Sequence, residues 1–484
     1  MMRPSHRTQR VVIPALFAIV VLAGATTVGQ DADFGVIIRE FATGRHKLEN
    51  ELATELALPI PPGVHEFFGA AEAGDAQAVS NLFLKLRMPG PHGSPLPELQ
   101  NELWAPVHET LGVYEVWVEW QQNSRLLKTL AESVLASMPS GSVYFGGTDS
   151  GRFVITTANA VRDPSPVFCL TQNALADNTY LSHLRQVYGK QLWIPAQADS
   201  QQAFQQFVAR WQAGQAPRNA GVTIANGQVQ VTSLEGVMAI NGILCQMIFE
   251  HNKAAHEFFI EESYVVDWMY PYLEPHGFIM KLNKEPVREL SAEIVAKDQA
   301  FWTDTIATLR KQPGFAGNQA ARNAFAKLRT GSAGIYVSRQ RYDDAERAFD
   351  QALELYPGSP DANFRLAKLW EQRGRVDRAI ELLQAFIARA PETAGQRATD
   401  YLKALQSKRP LTADERLTLT RIVQGLSADQ ASARSTAKRG ITEFGVRALP
   451  LLREHADDKD PEVRMSIKEL IRELSERNVT GSSD

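Results

Sequence analysis

Between residues 326 and 391 the sequence repeats with a period of 34, and this constrains the fold more than any other feature. Tyr342 is matched by Val376, Ala345 by Ala379, Phe349 by Leu383 and Pro357 by Pro391. Each unit reads as two short helices. The first carries a bulky residue (Tyr336, then Trp370), the second opens on an alanine, and a proline closes the unit. A unit of this size cannot bury its apolar face alone. It is stable only when stacked on a neighbour, so the segment must form an array of paired helices.

The large-against-small spacing resembles the tetratricopeptide repeat, in which a small residue lets paired helices approach closely. The resemblance implies that the first helix of each pair lines a concave groove. In this chain that places Lys327, Thr330 and Val337 beside Phe364, Lys368 and Glu371 as a candidate surface for a protein or peptide partner. Residues 326–406 are therefore read as repeats with a closing helix, and 286–325 as a helical connector. Further on, SARSTAKRGITEFGVRALPLLREH and DPEVRMSIKELIREL are similar to HEAT repeats, on Asp460, Pro461 and Arg464. Arg434 stands 30 residues earlier in a comparable place, without an Asp-Pro before it. The HEAT-like segment is set at 411–478, and the tail 479–484 is expected to be disordered.

The start of the chain points to export. Arg3, Arg7 and Arg10 precede an apolar run from Val11 to Ala25 that ends in Ala23-Gly24-Ala25, the pattern of a signal peptide over residues 1–25. The run is short for a membrane span and contains Pro14. The expected location is the bacterial periplasm or envelope, with no transmembrane span after cleavage. Net charge is −4, with 44% hydrophobic and 22% charged residues, so no basic excess suggests nucleic acid. Two cysteines, Cys169 and Cys245, sit in apolar runs and read as buried thiols rather than a disulfide framework.

Residues 32–109 read as helical, broken by the prolines of LPIPPG and by a linker from Met88 to Leu96. The pattern then changes. SVYF, a GGTDSG turn, RFVITTANAV and PVFCL form strand, turn, helix and strand, a βαβ unit with parallel strands. An Asn226-Gly227 turn between alternating runs predicts a hairpin over 222–232. HEFFIEES and GFIMKLN supply further strands. The fold class is thus an α/β domain over 110–285 with a short, mostly parallel sheet, followed by helical repeats.

In parallel sheets ligands gather at the carboxyl ends of strands. The candidate ligand residues are therefore Gly146, Gly147, Thr148, Asp149 and Arg152 after the first strand, with Asn173, Asp177 and Asn178 after the second. Glycines and the free amides of a helix start suit an anion or a small polar ligand. GGTDSGR lacks the Gly-Lys-Ser/Thr ending of a P-loop, and no dinucleotide spacing of glycines occurs. GGTDSGRF and TQNALADN also resemble the soluble exported portion of bacterial membrane proteins related to lipid-linked sugar transferases. That resemblance implies fold and location; the membrane helices holding those proteins' presumed catalytic acids have no counterpart here.

His251, His256, Glu257, Glu261, Glu262, Asp267 and His276 lie close in sequence but lack the spacing of a metal motif. Glu261 and Glu262 should point to opposite faces if extended. No Gly-x-Ser-x-Gly elbow is present. No catalytic residue, metal or cofactor is assigned. The expected function is an exported, non-enzymatic interaction or scaffold protein that binds an envelope partner through its repeats. The alternative is ligand binding, or sugar or phosphate processing, at the strand-end loops. If the signal reading is right, the mature chain begins near Thr26; N-terminal sequencing of exported material that still starts at Met1 would reject it.

Overall fold

The computed structural model describes residues 33–87, 103–162, 167–217, 219–225, 228–262, 264 and 266–480. The expected signal segment, the Met88–Leu96 linker and the Asn226-Gly227 turn lie outside the described residues.

Three helices open the fold: α1 (Phe34–Leu56), α2 (Pro62–Ala73) and α3 (Ala76–Arg87). Asp33 caps α1 by accepting from the Gly35 amide at 3.2 Å. Pro61 and Pro62 permit no continuation of α1 but suit the first turn of α2. Gly74, at φ +80°, ends α2 in the left-handed region, and Asp75 then caps α3. Next come α4 (Trp104–Glu119) and α5 (Ser124–Ser137). Between them Gln121 and Gln122 both take positive φ, and the Asn123 side chain starts α5 by accepting from the Leu126 amide.

The α/β region follows as β1 (Ser142–Gly146), α6 (Ile155–Ala160), β2 (Val167–Thr171), α7 (Asn178–Tyr188) and α8 (Gln197–Gln212). A separate antiparallel hairpin pairs β3 (Val222–Ala225) with β4 (Gln228–Val231), as its alternation predicted. Then come α9 (Leu234–Asn252), β5 (Phe258–Ile260), β6 (Leu273–His276) and β7 (Ile279–Leu282). The five-stranded sheet has the order β2-β1-β5-β7-β6. It is mixed: β1 is parallel to β2 and to β5, whereas β7 is antiparallel to β5 and to β6.

The strands read as unbroken apolar runs because both faces of the sheet are covered. Tyr144, Cys169 and Phe259 join a core made with the N-terminal helices. Val143, Phe145, Leu170 and Phe258, one residue out of phase, join a second core with α7, α8 and α9. Cys169 and Cys245 are free and buried; burial pushes the Cys169 thiol up to about 12 and the Cys245 thiol higher still.

The connector forms α10 (Ala292–Lys311). The repeats are α11 (Gln319–Ser338), α12 (Tyr342–Leu355), α13 (Pro360–Gln372) and α14 (Val376–Arg389), closed by α15 (Pro391–Lys408), which kinks at Gly395. The first repeat helix thus begins seven residues before the position read from the period. Ala345 and Ala379 are fully buried, as close helix crossing demands. The array is not a separate body. Ala333, Ile335, Tyr336 and Phe349 belong to the same core as the sheet. Buried Arg329 on α11 meets Asp298 on α10 at 2.6 Å, and the Tyr336 hydroxyl donates to the same carboxylate at 2.7 Å.

Four more helices, α16 (Ala413–Gln424), α17 (Ala431–Glu443), α18 (Leu449–Glu454) and α19 (Pro461–Thr480), enclose their own core. Asp460 caps α19 by accepting from the Glu462 amide at 2.8 Å. Arg464 donates to the Asp458 carbonyl, and Arg434 to those of Ala428 and Asp429, so each arginine ties down the loop before its helix. The helix continues through Thr480, two residues into the expected tail; 481–484 lie outside the described residues.

One buried group stands apart. Glu49 on α1 is fully enclosed, neither carboxyl oxygen has a hydrogen-bond partner among the described residues, and burial raises its pKa to about 8. Between the ordinary value of 4.5 and about 8 the unfolded chain has released this proton while the fold retains it. Stability therefore falls as pH rises through that window and levels off above it. Glu49→Gln removes the titration. Its stability relative to wild type should grow from pH 4.5 to 8, by up to a few kcal/mol at roughly 1.4 kcal/mol per pH unit. Denaturant unfolding at pH 5 and pH 8 measures this; an equal difference at both pH values would refute it.

Candidate functional site

The glycine loop after β1 is shaped to receive a carboxylate, and the protein supplies its own. Glu261, directly after β5, accepts from the backbone amides of Gly147 at 3.2 Å and Thr148 at 3.1 Å. The Thr148 hydroxyl donates to the other carboxylate oxygen at 2.5 Å and accepts from the Gly151 amide at 3.1 Å. Glu261 is 3% exposed. Burial pushes its pKa up, and the bonds from Thr148 and Gly147 pull it back. Gly151 is required here because a Cβ at that position would fall within the Glu261 carboxylate. At Gly146 a Cβ would press on the Arg152 backbone.

This corrects the sequence reading. Gly147 and Thr148 do not offer free amides to an external anion, because their donors already face Glu261, and Gly146 ends β1 in register with Thr171. The helical segment that follows opens as one π turn, Ser150–Val154, and Asp149 makes no capping bond to it. Instead Asp149 is bonded to Arg152 at 2.5 Å, and Arg152 donates to the Asn173 side chain at 3.3 Å. The two strand-end loops are therefore joined through Arg152. Asn241 on α9 pins the second loop, donating to the Asn173 carbonyl and accepting from the Ala176 amide. Asp177 caps α7 by accepting from the Thr179 amide at 2.8 Å, and Asn178 is the first residue of that helix.

Beside these loops lies a cleft of about 470 Å³, between α4, the π turn before α6 and the start of α7. Of the sequence candidates, Arg152 and Asp177 line it. The rest of the wall was not found from sequence: Trp104, His108 and Glu109 from α4, Phe153 beside Arg152, and Tyr180 from α7. Their placement follows from Gly112, where a Cβ would collide with the Phe153 ring. His108 and Glu109 sit one turn earlier on the same helix face. Behind the cleft, Arg45 on α1 pairs with Glu109 at 2.6 Å, and buried His183 lies 3.8 Å from the other Glu109 oxygen. Burial lowers the pKa of His108, with the Arg152 charge adding to the effect, and burial likewise lowers that of His183. The Tyr180 hydroxyl accepts from the Thr171 amide at 2.7 Å.

The repeat groove also differs from its sequence outline. Glu262, next to Glu261, faces the other way and pairs with Arg365 on α13 at 2.7 Å; the Tyr270 hydroxyl donates to Glu262 at 2.5 Å. The α/β region therefore walls the concave side of the array. Of the six groove candidates, Val337 and Lys368 line a cavity of about 870 Å³ there. Thr330 is buried and bonds within its own helix. Phe364 packs on Phe386 and Tyr401, and Glu371 accepts from Tyr401 and Lys408, so both face α15. Lys327 lines a different depression, with Glu119 and Tyr356. The cavity gains Arg288, Arg339 and Arg365, against Asp267 as its acidic member. Sequence spacing alone could not reveal these, because the partner wall comes from an earlier stretch, Asp267 to Arg288, outside the repeats.

Among the described residues no cluster of three or more His, Cys, Asp or Glu is placed to hold a metal ion. The histidines singled out earlier have structural partners: His251 stacks on Trp193, His256 bonds the Gly141 carbonyl and His276 the Ser137 carbonyl. No helix among the described residues is long and apolar enough to cross a membrane.

Comparison with known proteins agrees with the repeat geometry: residues 333–394 match the tetratricopeptide repeat family. No curated protein and no solved structure matches the chain. The matched segment spans the end of α11 through the start of α15, and such repeats support binding of a protein partner.

The Glu261 lock gives a direct test. Gly151→Ala should cost more than about 2 kcal/mol, because it both overpacks the loop and strips a buried carboxylate of donors. Gly69→Ala, at an exposed helical position with open space around it, should instead stabilise by up to about 1 kcal/mol. Thermal unfolding of the two variants checks both signs.

Proposed function

We propose that this chain is an exported interaction protein that holds a segment of an envelope protein between its repeats and its α/β region. The observation that carries the reading is the cavity of about 870 Å³ shared by α11, α13 and the segment from Asp267 to Arg288. Its apolar floor includes Val337, Phe349 and Leu369, and its rim carries Arg288, Arg339 and Lys368. Arg339 is held in place by donating to the carbonyls of Pro271 and Val287. Among the described residues neither Arg288 nor Lys368 makes an ion pair. An extended peptide with apolar side chains and an acidic residue matches that combination. The matched repeat family supports partner binding, and the arginine-rich, apolar start supports export.

The expected outcome is capture from envelope extracts of a protein that wild-type chain retains and the Arg288→Glu/Lys368→Glu double variant does not. An acidic peptide from that protein should bind the purified chain in fluorescence anisotropy, and the double variant should weaken it at least about tenfold, or 1.4 kcal/mol. Capture that ignores the charge reversal would overturn the assignment of the cavity.

A further inference from the structure

We propose that the strand-end cleft is a second, independent binding site, and that its ligand is a neutral saccharide. The volume, about 470 Å³, lies within the range of small-molecule sites. The lining decides the class. A phosphate or other strong anion would need free amides or an uncommitted cation. The loop amides are taken by Glu261, and Arg152 is engaged by Asp149 and Asn173. A cation would need an uncompensated carboxylate, but Glu109 is compensated by Arg45 and Asp177 is committed to the positive amide end of α7 that it caps. An apolar ligand would leave the cleft's polar groups without partners, at a cost of about 1–3 kcal/mol each.

What remains is a wall with no net charge preference and a mixture of donors and acceptors. Glu109 and Asp177 accept, Arg152 donates, and Tyr180 and His108 can do either. Adjacent hydroxyls of a sugar ring, each both donor and acceptor, match that mixture. Trp104 and Phe153 add aromatic surface for the C–H face of the ring. The hydroxyl-reading groups are pre-placed: Glu109 by Arg45, Tyr180 by the Thr171 amide, Asp177 by its cap.

The test uses the full chain. Saturation-transfer NMR is run against a set of neutral mono- and disaccharides, with inorganic phosphate and glucuronate as charged controls. At least one neutral sugar should bind, with affinity insensitive to salt. Trp104→Ala and His108→Ala should each weaken it tenfold or more, and Trp104→Phe should restore part of the loss. Melting temperatures of all three variants show whether the fold is kept; if Trp104→Ala unfolds, His108→Ala and Trp104→Phe still decide. Absence of binding across the set, binding untouched by the folded variants, or salt-sensitive binding of phosphate or glucuronate alone would overturn the proposal. None of these residues lines the repeat cavity, so its outcome is separable from that of the peptide site.

Discussion

Two consecutive carboxylates hold the molecule in its arrangement. Where the chain leaves β5 it is extended, so Glu261 and Glu262 project in opposite directions. Glu261 goes into the loop after β1 and takes three donors there; Glu262 goes to Arg365 on the third repeat helix. One dipeptide thus fixes both the strand-end loop and the docking of the repeats. Buried charges of this kind add little net stability once desolvation is counted, but removing one partner strands the other. Their contribution is to register: Glu262, Tyr270 and Arg365 are satisfied together where the array meets the sheet.

The same geometry explains what could be read from sequence. Local chemistry was legible. The prolines before α2, the β-hairpin and the close-packed alanines all follow from residues within a turn or two of one another. The βαβ unit was legible too, since its strands are apolar runs with a glycine turn between them. The direction of the far strands was not, because β7 and β6 are short and antiparallel pairing there depends on a tight turn at Gly277, φ +65°.

The loop itself shows how a sound local inference can miss. GGTDSG has the features of an anion cradle and does cradle an anion, but the carboxylate arrives from 113 residues further along the chain. Nothing at Glu261 in the sequence marks it as the occupant. The cleft failed to appear for a similar reason. His108 and Glu109 lie on a helix that reads only as amphipathic core, and they reach the strand ends because Gly112 admits the Phe153 ring. The repeat groove was misdrawn where α15 and the α/β region compete for the faces that isolated repeats would leave open. Glu371 and Phe364 face α15 for that reason.

The cleft and the cavity are each connected to the same dipeptide, the cleft through Arg152 and the loop, the cavity through Arg365. Connection alone does not make them communicate. Coupling requires an element with two arrangements that both ligands bias differently. Glu261 has none to offer: its oxygens are filled by donors, and Gly151 closes against it without room for a displaced carboxylate. Glu262 is likewise shared between Tyr270 and Arg365, with Gly334 packed against both. A ligand in either place meets a wall already set, which favours affinity by limiting ordering costs and works against allostery. The two proposed sites should therefore act independently, each on a surface the dipeptide has fixed beforehand.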